Sequence, residues 1–586
     1  MNAKKYIILS LGLLMGLFVS AQDQLFKAPG APLDPKVNVR WNRFYDHAEI
    51  TEICKAIAEA HPGLVSLESI GESYEERSLW CLTITDKATG EADTKPAYYI
   101  DGNIHSNEIQ GSEIALYTAW YLTENQASVT WIRDLLANRT FYIVPTINPD
   151  ARDHYMHEAN NANSPRGGMV PADNDGDGRY DEDGYDDLDK NGHITMMRRE
   201  SPNGRWKVDP DDPRRMIRCR PDEPGTHEML GYEGIDNDGD GRINEDGVAF
   251  SYDPNRDWGW NWQPNYVQRG AYKYPFSLPE TRAVADFVVA HPNIAGAQTY
   301  HNSGGMILRG PGAKEDIGLY NRSDLQVYDQ IAKRGEEMLP GYDYLTIYKD
   351  LYSVYGGELD WFYGSLGIFT YSNELWTSYL MFNKDYDGKF AEAGKDRYKF
   401  DKYLLFEESF VPWQSYQHPS YGRIEIGGFK KSTGRLEPTF MLENDAHRNM
   451  AFTLYHADQM PLLEVQDIEV VELDKKLKQV TAVIVNKRLI PTHSAHDVKN
   501  HITRPDHISL LTPEDTDLIA GMVVQNADLG LAIEQKHQPA RLKVDNIPGM
   551  GTVTVRWIVE GEGPFVIEVN SVKGGTASRS TSDDGD

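Results

Sequence analysis

What most constrains this chain of 586 residues is a repeated alternation of short strand-like apolar runs with stretches of helical period. Segments 97–100, 140–147 and 294–301 read as buried strands. Between them, 109–122 carries Ile114, Tyr117 and Tyr121 on one helical face, and 278–290 is helical with Pro279 suited to its first turn. Upstream, 41–60 sets Ile50, Ile53, Ile57 and Ala60 on a stripe, and 64–84 is strand-rich around a turn at 71–77. Such alternation implies an α/β fold, a mixed or mostly parallel central sheet flanked by helices.

The pattern changes twice. Residues 173–246 are rich in Asp, Gly, Arg and Asn and poor in periodic apolar segments, which marks an insertion at about 160–250. From about residue 462, short stretches of period-two alternation (465–471, 480–485, 508–511, 541–544, 553–557, 564–569) predict a small C-terminal β-sandwich. The expected organisation is a signal peptide at 1–21, the α/β domain at 35–460, the sandwich at 461–573, and a disordered tail at 574–586 with little to bury.

Lys4-Lys5, an apolar run from Tyr6 to Val19 and Val19-Ser20-Ala21 before polar Gln22 have the layout of an export signal. The run is shorter than the ~20 residues a membrane span needs. The mature chain is therefore expected to be secreted or periplasmic, with no membrane span. Net charge is −30, which argues against nucleic acid as a partner. The three cysteines, Cys54, Cys81 and Cys219, are too few and too scattered for a thiolate metal site; a Cys54–Cys81 bridge stays open.

The chemistry-bearing residues sit where strands run out. Asp101-Gly-Asn-Ile-His105-Ser-Asn-Glu108 follows the 97–100 run, and His105 with Glu108 can aim an imidazole and a carboxylate at one point. His301, at the end of the 294–301 strand, can complete a His-Glu-His set that leaves zinc one open position. Glu374, in Tyr371-Ser-Asn-Glu374-Leu, is a charged residue in an apolar setting and is the natural general base beside such a metal.

With these residues the chain resembles the zinc carboxypeptidases of the carboxypeptidase A/B type. The resemblance runs in order through Gly71-x-Ser73-x-x-x-Arg77, His105-x-x-Glu108, Asn148-Pro-Asp150, Asn255-Arg256-x-Trp258, Pro279-Glu280-Thr, His301, Tyr352-x-x-x-Gly356-Gly357-x-x-Asp360-Trp361 and Asn373-Glu374-Leu375. It implies one catalytic zinc on His105, Glu108 and His301, with Glu374 as the base. It also implies that Asn255 and Arg256 bind a substrate's terminal carboxylate, that Tyr352 covers the substrate, and that Arg198 steadies the oxyanion. The implied substrates are peptides with a free C-terminus.

Two positions depart from or refine the pattern. Asn107 stands where many relatives carry Arg. Leu359 stands where the family sets side-chain preference, so an apolar or aromatic terminal residue is expected, with Val354 and Leu351 supporting the pocket. Cleavage of cell-wall peptides by the same zinc chemistry is an alternative, as is a non-catalytic peptide- or glycan-binding protein on this fold, although the latter leaves Glu374 without a purpose.

Asp173-Asn-Asp175-Gly-Asp177-Gly-Arg-Tyr-Asp181 and Asp236-Asn-Asp238-Gly-Asp240-Gly-Arg-Ile-Asn244 are near copies. Alternate carboxylates followed by Gly suit an oxygen cage for structural Ca²⁺, although Gly184 and Gly247 fall where an EF-hand needs its bidentate Glu. Asp187-x-Asp189-x-Asn191-Gly192 is a weaker third pattern.

Overall fold

The structure is a computed structural model and describes residues 29–32, 34–173, 177–245 and 252–583. The expected signal peptide lies outside the described residues. An eight-stranded mixed sheet forms the centre, in the order Val65–Glu72, Ser78–Ile84, Thr140–Val144, Ala97–Gly102, Ile294–Asn302, Phe369–Leu375, Met306–Arg309, Asp343–Thr346. Its middle four strands run parallel. Both faces are covered, so the central strands are buried at almost every position, which is why they read as continuous runs rather than alternating ones.

One face packs helices His47–Ala60, Gln110–Asn125, Arg322–Met338 and Leu442–Asp458 through Ile50, Leu116, Tyr328, Ile331 and Met450. The other packs Pro279–Ala290 and Glu358–Leu366 through Val284, Phe287, Trp361 and Phe362. Strand Ala97–Gly102 is followed in the chain by its neighbour on one side and later by its neighbour on the other. Its carboxyl end is thus a topological switch point, where open α/β sheets leave a crevice.

The insertion is more ordered than its composition suggests. Met196–Glu200, Trp206–Val208, Met216–Arg218 and His227–Tyr232 join Phe410–His418 and Gly422–Phe429 in a second, six-stranded sheet. These strands are short and only partly buried, so they carry little periodic apolar signal.

The C-terminal part is a sandwich of a five-stranded and a four-stranded sheet around Val480, Ile484, Ile508, Val555, Trp557 and Ile567. The tail expected to be disordered is instead ordered through Ser580: Gly575–Ser580 is a strand paired with Val566–Ser571. Main-chain pairing supplies what its Gly, Thr and Ser side chains cannot.

The sandwich docks on the catalytic half by polar contacts. Asp324 accepts from the Ala495 amide at 3.0 Å, His496 lies 2.8 Å from the Gly364 carbonyl, and Lys573 donates to the Leu366 carbonyl at 2.6 Å and to Asp497 at 2.8 Å. His493 sits between Asp497 and Asp506, 3.3 and 3.0 Å away. Burial alone would lower its pKa, but these two carboxylates outweigh it and push the imidazole up to about 9. Cys54, Cys81 and Cys219 are all free; Cys54 and Cys81 lie in the two different core clusters.

Candidate active site

His105, Glu108, His301 and Glu374 converge at the carboxyl ends of the parallel strands. His301 is the eighth residue of the Ile294–Asn302 strand and is in register with Glu374 on Phe369–Leu375. His105 and Glu108 lie on the turn between Ala97–Gly102 and helix Gln110–Asn125. That helix approaches the strand ends closely: a Cβ on Gly102 would stand 2.6 Å from the Gly111 carbonyl carbon, and one on Gly111 would stand 2.9 Å from Tyr300 Cβ. Glycine at both positions lets the turn close over the sheet. Asn148 pins the turn, donating to the carbonyls of Ile104 at 3.1 Å and Gly167 at 2.8 Å.

His105 Nδ1, His301 Nδ1 and Glu108 Oε2 are each 3.1 Å from the other two. All three side chains are buried. Three lone-pair atoms at the corners of such a triangle, with no donor among them once each neutral imidazole carries its proton on Nε2, come close to three vertices of a tetrahedron with metal–ligand distances of about 2.0–2.2 Å, whose edges are only slightly longer. The far nitrogen of His105 faces the Asp253 carboxylate at 2.8 Å, which fixes the tautomer and frees Nδ1 as a ligand. The donor set therefore fits zinc.

Burial alone would raise the pKa of Glu108, but His105 and Arg166 hold it well below the ordinary carboxylate range. Glu374 behaves oppositely. Burial and then the Glu108 charge raise it to about 7, against the pull of His301, Arg166 and Arg435. Two neighbouring carboxyls are thus driven apart, one ionised and one able to hold a proton near neutrality.

A cavity of about 60 Å³ opens beside this cluster and is lined by Asn255, Arg256, Tyr352, Leu359 and Glu374, with Leu308, Val354 and Leu351 among its apolar walls. Arg256 is buried; its Nη1 donates to the Asn255 carbonyl at 2.7 Å, and its nearest carboxylate, Asp253, is 3.9 Å away. Asn255 is held by its main chain to Asp253 and by its side chain to the Glu358 amide, both at 2.8 Å. Tyr352 is 59% exposed at the mouth.

Two further acidic side chains, besides Glu374, line the cavity. Asp360 accepts from the Gly312 amide at 2.7 Å, and burial pushes it up to about 7. Glu358 is raised well above its ordinary value by burial and by Asp101 beside it.

Arg198 is not at this site. It lies on the second sheet, paired with Glu425 at 2.8 Å and stacked 4.0 Å from the Trp413 ring. The arginine that reaches the cluster is Arg166, which bonds Glu108 and lies 3.2 Å from His105 Nε2. Arg435 joins from the other side, 3.3 Å from Glu108 Oε1. Asn107 turns away to donate to the Ala162 carbonyl.

Sequence reasoning missed Arg166, Arg435 and Asp253. Asp253-Pro254 before Asn255 has the form of a helix start, and Asp253 does cap that turn. Arg166 stands in a Pro-Arg-Gly-Gly turn that offered no chemical signal, and Arg435 is remote in sequence. The other motif residues are latches: Ser73 donates to Asp150 at 2.6 Å, Arg77 to the same carboxylate at 2.8 Å, and the Tyr74 amide to Glu280 at 2.8 Å.

In the acidic loops, Asp236, Asp238 and Asp240 come within reach of one point, and Asp183, Asp238 and Glu245 of another. Asn244 instead donates to the Tyr232 carbonyl and, through its amide, to Asp183. Asp173 accepts from the Gly178 amide and Asp177 from the Arg179 amide; among the described residues these two and Asp181 do not belong to such a group. Asp175 lies outside the described residues. Asp187 and Asp189 group with Glu233.

Comparison with known proteins gives a family. The family model described as zinc carboxypeptidase matches residues 50–181 and 215–392, and a domain family of unknown function matches 462–582. Arg198 falls in the unmatched gap and Arg166 within the match. Carboxypeptidase B of Astacus astacus is 36% identical over 110 residues, 19% of this chain and 34% of that protein. Carboxypeptidase D of Homo sapiens is 29% identical over 121 residues, 20% of this chain and 8% of that one. The matches thus span about a third or less of these relatives. Among solved structures, thrombin activatable fibrinolysis inhibitor aligns with a TM-score of 0.41 at 16% identity, covering 72% of this chain and 79% of that one.

Asp253 generates a prediction. Asp253→Ala should lower zinc affinity by ~10–100-fold, because the imidazole of His105 loses its orienting partner. Competition with a chromophoric chelator measures this; unchanged affinity would remove Asp253 from the metal site.

Proposed function

The chain belongs to the zinc carboxypeptidase family, and from that premise we propose that it is a metallocarboxypeptidase, releasing the C-terminal residue of peptides. The observation that carries the reading is the His105–Glu108–His301 triangle with Glu374 beside it and Arg256 in the same cavity. Arg256 is a guanidinium with no carboxylate in direct hydrogen bond, and a substrate's terminal carboxylate would supply one in the forked geometry arginine favours. Asn255 sits alongside as a second polar contact.

Zinc on the three ligands would supply Lewis acidity toward the scissile carbonyl and the attacking water. Glu374 takes the proton of that water and returns it to the leaving amine. Arg166 is in place to steady negative charge developing on the carbonyl oxygen, the role expected of Arg198. Tyr352, exposed at the mouth, covers the bound peptide.

An apolar or aromatic terminal residue is favoured. Leu308, Val354 and Leu359 wall the cavity, and each methylene buried there contributes roughly 0.8 kcal/mol. Export belongs to the same reading: the leader supports it, and among the described residues no helix is long and apolar enough to cross a membrane.

We further propose that the second acidic loop binds Ca²⁺ as a structural ion. Asp238 is common to two carboxylate groups, and among the described residues both buried oxygens of Glu245 lack a donor. Burial pushes Glu245 up to about 7, a cost a cation would relieve.

Glu374→Gln should retain zinc and the fold while kcat falls by ~10²–10⁴-fold. Metal analysis and steady-state kinetics check it, and near-normal turnover would remove Glu374 from the reaction. Calcium should raise the thermal midpoint, and Asp238→Ala should abolish most of that rise by linkage to the native state. A midpoint indifferent to calcium in the wild type would dismiss the ion.

A further inference from the structure

A second cavity, of about 400 Å³, lies against the first without sharing a residue with it. The two meet at Glu108, whose Oε1 takes Arg166 from the first cavity and Arg435 from the second. Arg435 also donates to the Asn302 carbonyl at 2.7 Å and to the Asn163 side chain at 3.2 Å, so the wall of the second cavity is tied directly to the strand that carries His301. Its far wall comes from the six-stranded sheet and from helix Phe390–Leu404, not from the central sheet.

The charge of this cavity runs against the rest of the molecule. The chain carries 89 acidic and 59 basic residues, yet the cavity is lined by Arg397, Lys430 and Arg435 and by no Asp or Glu. Arg397 is the telling member. Its guanidinium lies 4.2 Å from the Phe429 ring and donates to the Thr433 carbonyl, while Nε is buried with no hydrogen-bond partner among the described residues. Burial lowers its pKa and outweighs the opposing pull of Tyr398, Tyr232 and Asp401. Aromatic side chains, Tyr398, Phe410 and Trp413, complete a surface on which a peptide can lie.

We propose that this second cavity binds the acyl side of the peptide substrate and selects peptides carrying an acidic side chain a few residues upstream of the scissile bond. This rests on the carboxypeptidase reading. A carboxylate entering the cavity gives Arg397 and Lys430 a directly paired anion, which no carboxylate among the described residues provides, and the aromatic walls exclude water around the pair. The first cavity then reads the terminal residue and the second reads the upstream charge, with the scissile bond held between them at the metal cluster.

The test uses matched peptides with the same terminal Phe: an N-acylated dipeptide too short to reach the second cavity, and hexapeptides with Glu or Gln at each of the three positions farthest from the scissile bond. At low salt the best Glu peptide should exceed its Gln partner by about tenfold in kcat/KM, mainly through KM, and the advantage should shrink as salt rises. Arg397→Gln and Lys430→Gln should each erode the advantage while leaving the dipeptide's kcat/KM unchanged. Calorimetric binding of the same hexapeptides to the Glu374→Gln protein reads the preference without turnover. Absence of hydrolysis of every peptide, with the Glu preference intact in binding, would defeat the carboxypeptidase reading alone. Equal affinity and equal kcat/KM for Glu and Gln peptides, or a preference that survives in both variants, would overturn the second-cavity proposal.

Discussion

One buried carboxylate organises the catalytic half of this protein. Glu108 Oε2 faces His105, His301 and the Asn302 amide, each at 3.1 Å, while Oε1 is shared by Arg166 and Arg435. A lone carboxylate in this position would be costly to ionise, and it is ionised because imidazoles and guanidiniums surround it. Its position follows from the sheet: it can stand there only because Gly102 and Gly111 let the helix close on the strand ends. Topology, packing and electrostatics meet at this side chain.

The surrounding charges are arranged in pairs with separate tasks. Asp253 turns His105 so that its ligand nitrogen points inward, and it also caps the short turn bearing Asn255 and Arg256. One carboxylate therefore sets the geometry of both the metal cluster and the candidate anchor for the substrate terminus. Glu374 lies in register with His301 on the adjacent parallel strand, so the proposed base and the proposed ligand are spaced by main-chain pairing rather than by loop packing. The most demanding distances rest on the most rigid part of the fold.

Much of this was legible in the sequence because buried parallel strands announce themselves as apolar runs and their ends carry the polar residues. His105, Glu108, His301 and Glu374 are all near strand ends, and the structure brings all four together. Arg166 and Arg435 were not legible, since Arg166 sits in the insertion itself and Arg435 on a loop remote in sequence, and only the fold brings them to Glu108. The resemblance assigned the oxyanion role to Arg198, but its strand pairs with Gly422–Phe429 and carries it to Glu425. The six-stranded sheet itself escaped because the four strands it draws from the insertion are short and mostly half-buried. The ordered strand Gly575–Ser580 escaped because hydrogen bonding to a neighbour leaves no mark on composition.

The central claim is that the chain removes single residues from free C-termini, with Arg256 reading the terminal carboxylate. The most direct measurement is mass spectrometry of a mixed peptide library in which every sequence is present both as free acid and as amide, before and after incubation with the zinc-loaded protein. The account predicts loss of one residue at a time from the C-terminal end of the free acids, fastest for Phe, Leu and Tyr, with the amides largely intact. Equal processing of acids and amides, or cleavage at internal bonds or from the N-terminal end, would contradict it.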